Sequence, residues 1–132
     1  MSAPDAQVVA QQVAPVSAVT GSANQEIPEL ISKKSKEEGI SANLTQAIAF
    51  CESNYRQFTD DKETVLRGLH NPLDVGIFQI NEKYHLEKSK SLDFDIYTIE
   101  GNIDYALWLI KHEGAQHWKW SEPCWSKQNP VV

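Results

Sequence analysis

The sequence is poor in basic residues, in long apolar runs and in cysteine, and each shortage excludes a class of function. It has 12 Lys and Arg against 18 Asp and Glu, which gives a formal net charge of -6. That balance argues against nucleic acid as a partner, because a basic surface supplies most of the affinity for phosphates. It also provides no long-range attraction toward an acidic polymer, so such a polymer would have to be recognised locally. No apolar run approaches the about 20 residues of a membrane-spanning helix, and we expect no membrane span.

The two cysteines, Cys51 and Cys124, lie far apart in the chain. An even pair in a small domain favours a disulfide and an oxidising compartment. Closing so long a loop would stabilise the fold by roughly 4 kcal/mol in the chain-entropy model. The alternative is a pair of buried free thiols. Neither cysteine has a second ligand at the spacing of a metal-binding motif, and none of the histidines is paired with a ligand by its spacing, so we expect no metal site and no cofactor.

Length and composition indicate one domain between two short flanking segments. With 132 residues, of which 41% are hydrophobic, the chain can bury one modest core, and we expect a monomer. Residues 1–25 are rich in Ala, Val, Gln, Ser and Pro without helical periodicity, which is typical of a flexible tether. Residues 26–126 carry the periodic and aromatic segments, and residues 127–132 form a tail. The start lacks the basic and apolar parts of a leader. Either the chain is not exported, or its numbering begins after a removed leader. The cysteine pair favours the second alternative, so we expect an exported protein (periplasmic, cell-surface or extracellular) whose signal peptide lies outside this numbering.

Apolar residues at helical spacing predict three helices. The first begins at Ile27 and ends at a glycine twelve residues on. The second is expected to be capped by Asn43, with Gln46 as its capping-box partner. The last begins after Thr98 and ends at Gly114, with an acidic first turn that suits the helix dipole. These helices would form most of the core.

The end of the second helix carries a candidate proton donor, Glu52. It lies at the edge of the helix's apolar stripe, and a carboxyl that is half buried against apolar groups is costly to ionise, which raises its pKa. A raised pKa is what a general acid needs near neutral pH. From position alone, an ordinary surface glutamate is the alternative interpretation.

A second segment, residues 74–81, is too apolar for a surface loop. It is predicted to be buried, as a short strand or a helical turn, around the amide of Gln79, which must then find hydrogen-bond partners. Its first residue is another carboxylate, Asp74. The polar, turn-rich residues 56–75 between the two segments are expected to form the wall of a cleft, with one short strand at residues 64–67.

Together these segments resemble the lysozyme superfamily. The resemblance is carried by Glu52-Ser53-Asn54-Tyr55, by Asp74-Val75-Gly76-Ile77-Phe78-Gln79-Ile80-Asn81, and by a helix beginning Asn102-Ile103, and it covers roughly residues 26–114. It implies a mainly α fold (α+β at most), a lysozyme-like single domain in which a small loop or hairpin wall lies beside a substrate cleft. Family members cut peptidoglycan between N-acetylmuramic acid and N-acetylglucosamine.

The resemblance also implies a set of site residues. Glu52 is the expected catalytic acid, and Asp74 aligns with the second catalytic carboxylate of animal-type lysozymes. The substrate-binding residues that it implies are Ser53, Gln79, Asn81, Tyr84, Asn102 and Tyr105. The chain departs from the soluble lytic transglycosylases in two places. Those enzymes usually have Gly-Ala-x-Gly before the buried Gln, where this chain has Leu73-Asp74-Val75-Gly76. The Tyr of their last helix has no simple counterpart here.

Three functions follow from the resemblance. The one that the helix pair and the Asn102-Ile103 helix favour is a lytic transglycosylase, in which Glu52 acts first as acid and then as base. The alternatives are a hydrolytic muramidase that uses Glu52 with Asp74, and a glycan-binding module without catalysis. Peptidoglycan strands are the expected partner in all three cases. The tryptophans around Cys124 are interpreted as packing around a disulfide rather than as platforms for sugar rings.

Overall fold

The computed structural model describes residues 23–128 of the chain. They form five α-helices, one 3₁₀ helix and a sheet of two short strands. In chain order the elements are α1 Ala23–Glu38, α2 Ala42–Ser53, β1 Asp74–Val75, β2 Ile80–Asn81, α3 Glu82–Ser91, α4 Ile99–Glu113, the 3₁₀ helix Ala115–Ser121 and α5 Glu122–Gln128. The expectation of a mainly α fold is confirmed. No helix in this part of the chain is both long enough and apolar enough to cross a membrane.

The first two helices begin earlier than predicted. Helix α1 starts at Ala23 rather than Ile27, so it includes the last three residues of the expected tether, and residues 1–22 lie outside the described part. Helix α2 is capped by Ser41, whose hydroxyl accepts a hydrogen bond from the Leu44 backbone N–H at 3.2 Å. Asn43 is therefore not the cap. Its expected capping-box partner Gln46 instead donates to the Pro28 carbonyl at 2.9 Å, which links α2 to α1.

Helix α4 is the centre of the core. Thr98 caps it by accepting from the Gly101 N–H at 3.0 Å, and Gly114 follows its last residue, as the sequence predicted. Its buried face packs against apolar side chains of α1, α2 and the hairpin. The large aliphatic side chains that are fully buried in this core are Ile27, Ile31, Ile48, Val75, Ile77, Ile96, Ile103 and Leu109. Burial of such side chains supplies about 1.5–3 kcal/mol each.

The predicted buried segment 74–81 is an antiparallel hairpin, in which β1 pairs with β2 across a four-residue turn. The register places Asp74 opposite Asn81 and Val75 opposite Ile80. The segment thus combines a strand and a turn, which the sequence had offered as alternatives. No strand forms at residues 64–67, where the backbone makes only isolated bridges.

Two buried side-chain amides hold the hairpin turn. Gln57 accepts from the Ile77 N–H at 3.0 Å and donates to the Ile96 carbonyl at 3.2 Å. Asn102 accepts from the Phe78 N–H at 2.9 Å and donates to the Ile96 carbonyl at 2.9 Å. The backbone polar groups of the turn are thereby satisfied away from water, as buried amides require.

The sequence predicted that Gln79 would be the buried amide of this segment, and that prediction is wrong. Gln79 is only half-buried and donates to the Gly76 carbonyl in its own turn at 3.0 Å. The turn is tight because Gly76 has a φ of +76°, a left-handed conformation that glycine adopts without a steric cost.

The C-terminal segment is joined covalently to α2. Cys51 and Cys124 form a disulfide that links residues 73 positions apart, which confirms the expected pairing. Trp118 is buried and donates from its indole to the Phe78 carbonyl at 2.8 Å, and Trp125 donates to the Trp118 carbonyl at 3.1 Å. These two tryptophans therefore serve packing near the disulfide, as interpreted from the sequence. Helix α5 also includes residues 127 and 128, the first two of the expected tail, while residues 129–132 lie outside the described part.

Candidate active site

A cavity of about 370 Å³ collects the candidate residues. Its lining comes from the end of α2, the β1–β2 hairpin, α3, α4 and the 3₁₀ helix. Five residues that the sequence singled out line it: Glu52, Asp74, Gln79, Asn81 and Tyr84. Segments that lie more than 60 positions apart in the chain thus meet around one space.

Glu52 occupies the last turn of α2, next to the disulfide residue Cys51. The helix ends at Asn54, which has a left-handed φ of 56° and whose N–H bonds back to the Phe50 carbonyl at 2.8 Å. The Glu52 side chain is half-buried, and its Oε2 accepts a hydrogen bond from the Ser121 hydroxyl at 2.6 Å. The α2 terminus and the 3₁₀ helix therefore fix the carboxyl in place.

Burial raises the pKa of the Glu52 carboxyl above its ordinary value. The main cause is desolvation, because the charged form loses contact with water. The Ser121 hydrogen bond opposes this by stabilising the carboxylate, and the negative charge of nearby Asp74 adds to the rise. The net effect favours a protonated carboxyl facing the cavity, which is the state that can donate a proton.

Asp74 brings a second carboxyl to the cavity from β1. Its Oδ1 accepts from the Asn81 side-chain amide at 2.9 Å, directly across the two strands. Asn81 also caps α3 by accepting from the Tyr84 N–H at 3.2 Å, so the hairpin and α3 support Asp74 together. This arrangement places a hydrogen-bonded carboxylate within electrostatic reach of Glu52.

Three of the expected substrate-binding residues do not line the cavity, and the structure gives them other contacts. Ser53 is buried and donates to the Ile77 carbonyl at 2.7 Å. Asn102 is fully buried and holds the hairpin turn, and Tyr105 is fully buried beneath His85. Their prediction as direct substrate contacts is corrected. Each supports a residue or a backbone segment that does line the cavity.

Several lining residues had no signal in the sequence. The sequence pairs neither His85 nor His117 with a ligand by spacing, yet both line the cavity. Their elements, α3 and the 3₁₀ helix, meet only in the fold, so no spacing links them. Trp120 also lines the cavity and is 88% exposed. Trp118 lines the cavity too but is buried, and Trp125 is half-buried. Trp120 suits stacking on a sugar ring better than packing.

Comparisons of the chain with models of protein families, with curated proteins and with solved structures find no match. Between residues 23 and 128, no group of three or more His, Cys, Asp or Glu side chains could hold a metal ion. A partly buried acid, a second carboxylate, three side-chain amides and two exposed aromatic rings suit the binding and acid-catalysed cleavage of a polar polymer.

Proposed function

We propose that this chain cleaves the β-1,4 bond between N-acetylmuramic acid and N-acetylglucosamine in peptidoglycan strands, with Glu52 as the proton donor. The observation that carries the proposal is that the Glu52 carboxyl is half-buried, has a raised pKa and faces a cavity. A glycosidic oxygen is a poor leaving group until it is protonated, and a positioned acid with a pKa near the working pH accelerates that step by about 10²–10⁴-fold.

In the first step Glu52 gives its proton to the glycosidic oxygen and the bond from that oxygen to the anomeric carbon breaks. Positive charge develops on the anomeric carbon and the ring oxygen. Asp74 supplies the negative charge that such an oxocarbenium-like centre needs, either by electrostatic stabilisation or by forming a covalent intermediate. Water then completes the cleavage, and Glu52 recovers its proton from that water.

The location of Asp74 makes hydrolysis the better supported route. Asp74 lies in the same cavity as Glu52, is close enough to affect its pKa, and is oriented by Asn81. An Asp74 that served only as a polar turn residue after Pro72 would need none of these features. The chain would then act as a muramidase of the two-carboxylate type.

Lytic transglycosylation is the second candidate. Here the 2-acetamido oxygen of the substrate stabilises the cationic carbon, Glu52 takes a proton from the C6 hydroxyl, and a 1,6-anhydro ring closes without water. This route needs only Glu52. The adjacent α1–α2 pair and the Asn102-Ile103 pair, which lies near the start of α4, after Ile99, favour it through their resemblance to soluble lytic transglycosylase domains.

The rest of the cavity suits a glycan chain. Tyr84 and Trp120 are 74% and 88% exposed although both line the cavity, and aromatic rings that lie open beside a cleft provide apolar faces for sugar rings. Gln79 and Asn81 provide amide groups for hydroxyl and acetamido substituents. The same contacts would serve a glycan-binding module without catalysis, but such a module needs no buried acid.

The proposed setting is outside the cytoplasm, where peptidoglycan lies. The Cys51–Cys124 disulfide supports it, because disulfides persist in oxidising compartments and are rare in the cytosol. The net charge of -6 requires that the anionic wall be recognised by local contacts in the cavity.

The experiment that decides between the two routes is the digestion of purified peptidoglycan by the wild type and Asp74→Asn, followed by mass spectrometry of the products. Hydrolysis gives reducing ends, and transglycosylation gives anhydro ends that are lighter by one water molecule. If Asp74 stabilises the transition state, the Asp74→Asn rate falls by about 10²–10³-fold. The exposed Asp60→Asn is the matched control. If Asp74→Asn cleaves at the wild-type rate and releases anhydro products, these results would establish the transglycosylase route instead.

A further inference from the structure

Two histidines line the cavity but have no part in the proposed mechanism. His85 lies on α3 and His117 on the 3₁₀ helix, and their rings meet edge to face with centroids 5.2 Å apart. Each ring is held at one nitrogen. The Nδ1 of His85 lies 2.7 Å from the Tyr105 hydroxyl oxygen, and the Nε2 of His117 lies 2.6 Å from Oε1 of Glu113.

The Tyr105 hydroxyl determines which nitrogen of His85 carries the proton. Tyr105 is fully buried, and within the described residues its hydroxyl has His85 as its hydrogen-bond partner. A buried O–H proton requires an acceptor. If Nδ1 carried a proton, that proton would face the hydroxyl oxygen and the hydroxyl's own proton would have no acceptor. Tyr105 therefore donates to Nδ1, and the neutral ring carries its proton on Nε2.

The surroundings of His85 favour its uncharged form. Burial lowers the pKa of its imidazole, and the nearby charges of His117 and Lys88 lower it further, while Glu113 opposes them. Burial also raises the pKa of Tyr105 to about 12, so the hydroxyl remains a donor. Among residues 26–128, no side chain or carbonyl pairs with Nε2 of His85. The ring thus lines the cavity with one fixed, uncharged N–H donor that is not used within the fold.

We propose that His85 is a substrate-binding residue whose Nε2–H donates to an uncharged oxygen of the aminosugar chain, a hydroxyl or an acetamido carbonyl. Tyr105 is its positioning residue, since it fixes the tautomer from beneath the ring. His117, held by Glu113, packs against the ring edge and restricts its rotation. The inference rests on the proposed function, because it takes the bound polymer to be a glycan. His85 thus acts beside the side-chain amides of the hairpin as a further hydrogen-bond donor to the glycan.

The binding test uses Glu52→Gln as the parent, so that no cleavage intervenes, and a β-1,4-linked tetramer of N-acetylglucosamine as the probe in isothermal titration calorimetry. His85→Phe keeps a ring and removes the donor, and we expect about 3- to 10-fold weaker binding, the effect of one hydrogen bond. His85→Phe also leaves the buried Tyr105 hydroxyl unpaired, so the double variant His85→Phe/Tyr105→Phe, which removes both partners, is measured beside it. The control is His112→Phe on the exposed side of α4. If the tetramer binds the parent and all three variants equally, the inference is overturned and the proposed function stands. If the parent binds no tetramer, the result counts against both the inference and the proposed function.

The tautomer itself is tested without any ligand. Long-range ¹H–¹⁵N spectra of the His85 ring should show the proton on Nε2. Tyr105→Phe should give a mixture of tautomers, and in the active protein it should raise KM about 3- to 10-fold while kcat is retained. Tyr97→Phe, at a half-buried tyrosine outside this cavity, should change neither. The proposal is contradicted if the His85 ring of the wild type is protonated on Nδ1. It is also contradicted if Tyr105→Phe has the same KM as the wild type.

Discussion

The Ser121 hydroxyl donates a 2.6 Å hydrogen bond to Oε2 of Glu52, and this bond joins the C-terminal segment to the proposed proton donor. It lowers the pKa of Glu52, in opposition to burial, which raises it. Ser121→Ala removes the donor that stabilises the carboxylate, so the pKa of Glu52 should rise further. An acid must be protonated to act, and the alkaline limb of the pH–kcat/KM profile should therefore move to higher pH.

The matched control for Ser121→Ala is Ser126→Ala, at an exposed serine of α5. Its profile should coincide with that of the wild type. An alkaline limb of Ser121→Ala that stays in place or moves to lower pH would show that this hydroxyl does not control the acid.

Glu52→Gln should stabilise the protein at neutral pH. The pKa of Glu52 is raised in the folded state, so the folded protein holds this proton more tightly than the unfolded chain does. The stability that Glu52 contributes is fully present below its pKa in the unfolded chain. It is lost as the pH rises through its pKa in the folded protein. Glutamine cannot ionise, and the variant should have a higher Tm than the wild type at pH 7, with a difference that disappears below about pH 4.

Thermal unfolding followed by circular dichroism at pH 4 and pH 7 measures this effect. Glu87→Gln, at an exposed position of α3, should show no gain at either pH. If Glu52→Gln were less stable than the wild type at pH 7, the Glu52 carboxylate would stabilise the fold. Its burial would then not disfavour the charged form, as the proposed role of proton donor requires.

Gly76→Ala should disrupt the hairpin turn, because an added Cβ would collide with the amides of Gln57 and Asn102. Gly39 is a matched control, since it has φ +73° against +76° for Gly76 but has no atom within 4 Å of an added Cβ. Gly39→Ala should lose only about 1–2 kcal/mol, the cost of a left-handed backbone for alanine. Gly76→Ala should lose at least about 3 kcal/mol, because unpaired buried polar groups add about 1–3 kcal/mol each.

Urea unfolding of the two glycine variants gives the comparison directly. Equal losses for Gly76→Ala and Gly39→Ala would contradict the account, because they would show that the amides yield to the added methyl group. A larger loss of stability in Gly76→Ala would be attributed to the two buried amides, because the conformational cost to the backbone is the same at both positions.

The Cys51–Cys124 disulfide should supply a large share of the stability. Replacing both cysteines by alanine opens a loop of 73 residues and should lower the free energy of unfolding by roughly 4 kcal/mol. The reductant dithiothreitol should lower the Tm of the wild type to a similar degree and leave that of the variant unchanged. A wild type whose Tm does not respond to complete reduction, verified by thiol titration, would show that the packing of Trp118 alone holds the C-terminal segment.

The sequence predicted those features whose signals are local. The cap and the end of α4 at Thr98 and Gly114 follow from residue types that prefer these positions. The burial of residues 74–81 follows from their apolar composition. The half-burial of Glu52 follows from its place beside an apolar helical stripe. The disulfide follows from an even cysteine pair in a small domain, which has few other uses.

The features that the sequence did not predict depend on contacts between distant elements. Gln57 lies in a polar stretch, and only the fold shows that it holds the turn 20 positions away. Gln79 looked buried because its neighbours are apolar, yet its positive φ of 52° turns it out of the core. His85 and His117 carry no shared spacing, so their meeting in the cavity could come only from the packing of α3 against the 3₁₀ helix.

The most direct measurement of the central claim is the release of soluble fragments from purified peptidoglycan by the wild type, Glu52→Gln and Glu87→Gln. The account predicts that the wild type and Glu87→Gln release fragments at similar rates. Glu52→Gln should be slower by about 10²–10⁴-fold while it binds the N-acetylglucosamine tetramer as tightly as the wild type does. A Glu52→Gln protein that cleaves at the wild-type rate, or a wild type that binds the glycan and never cleaves it, would contradict the claim.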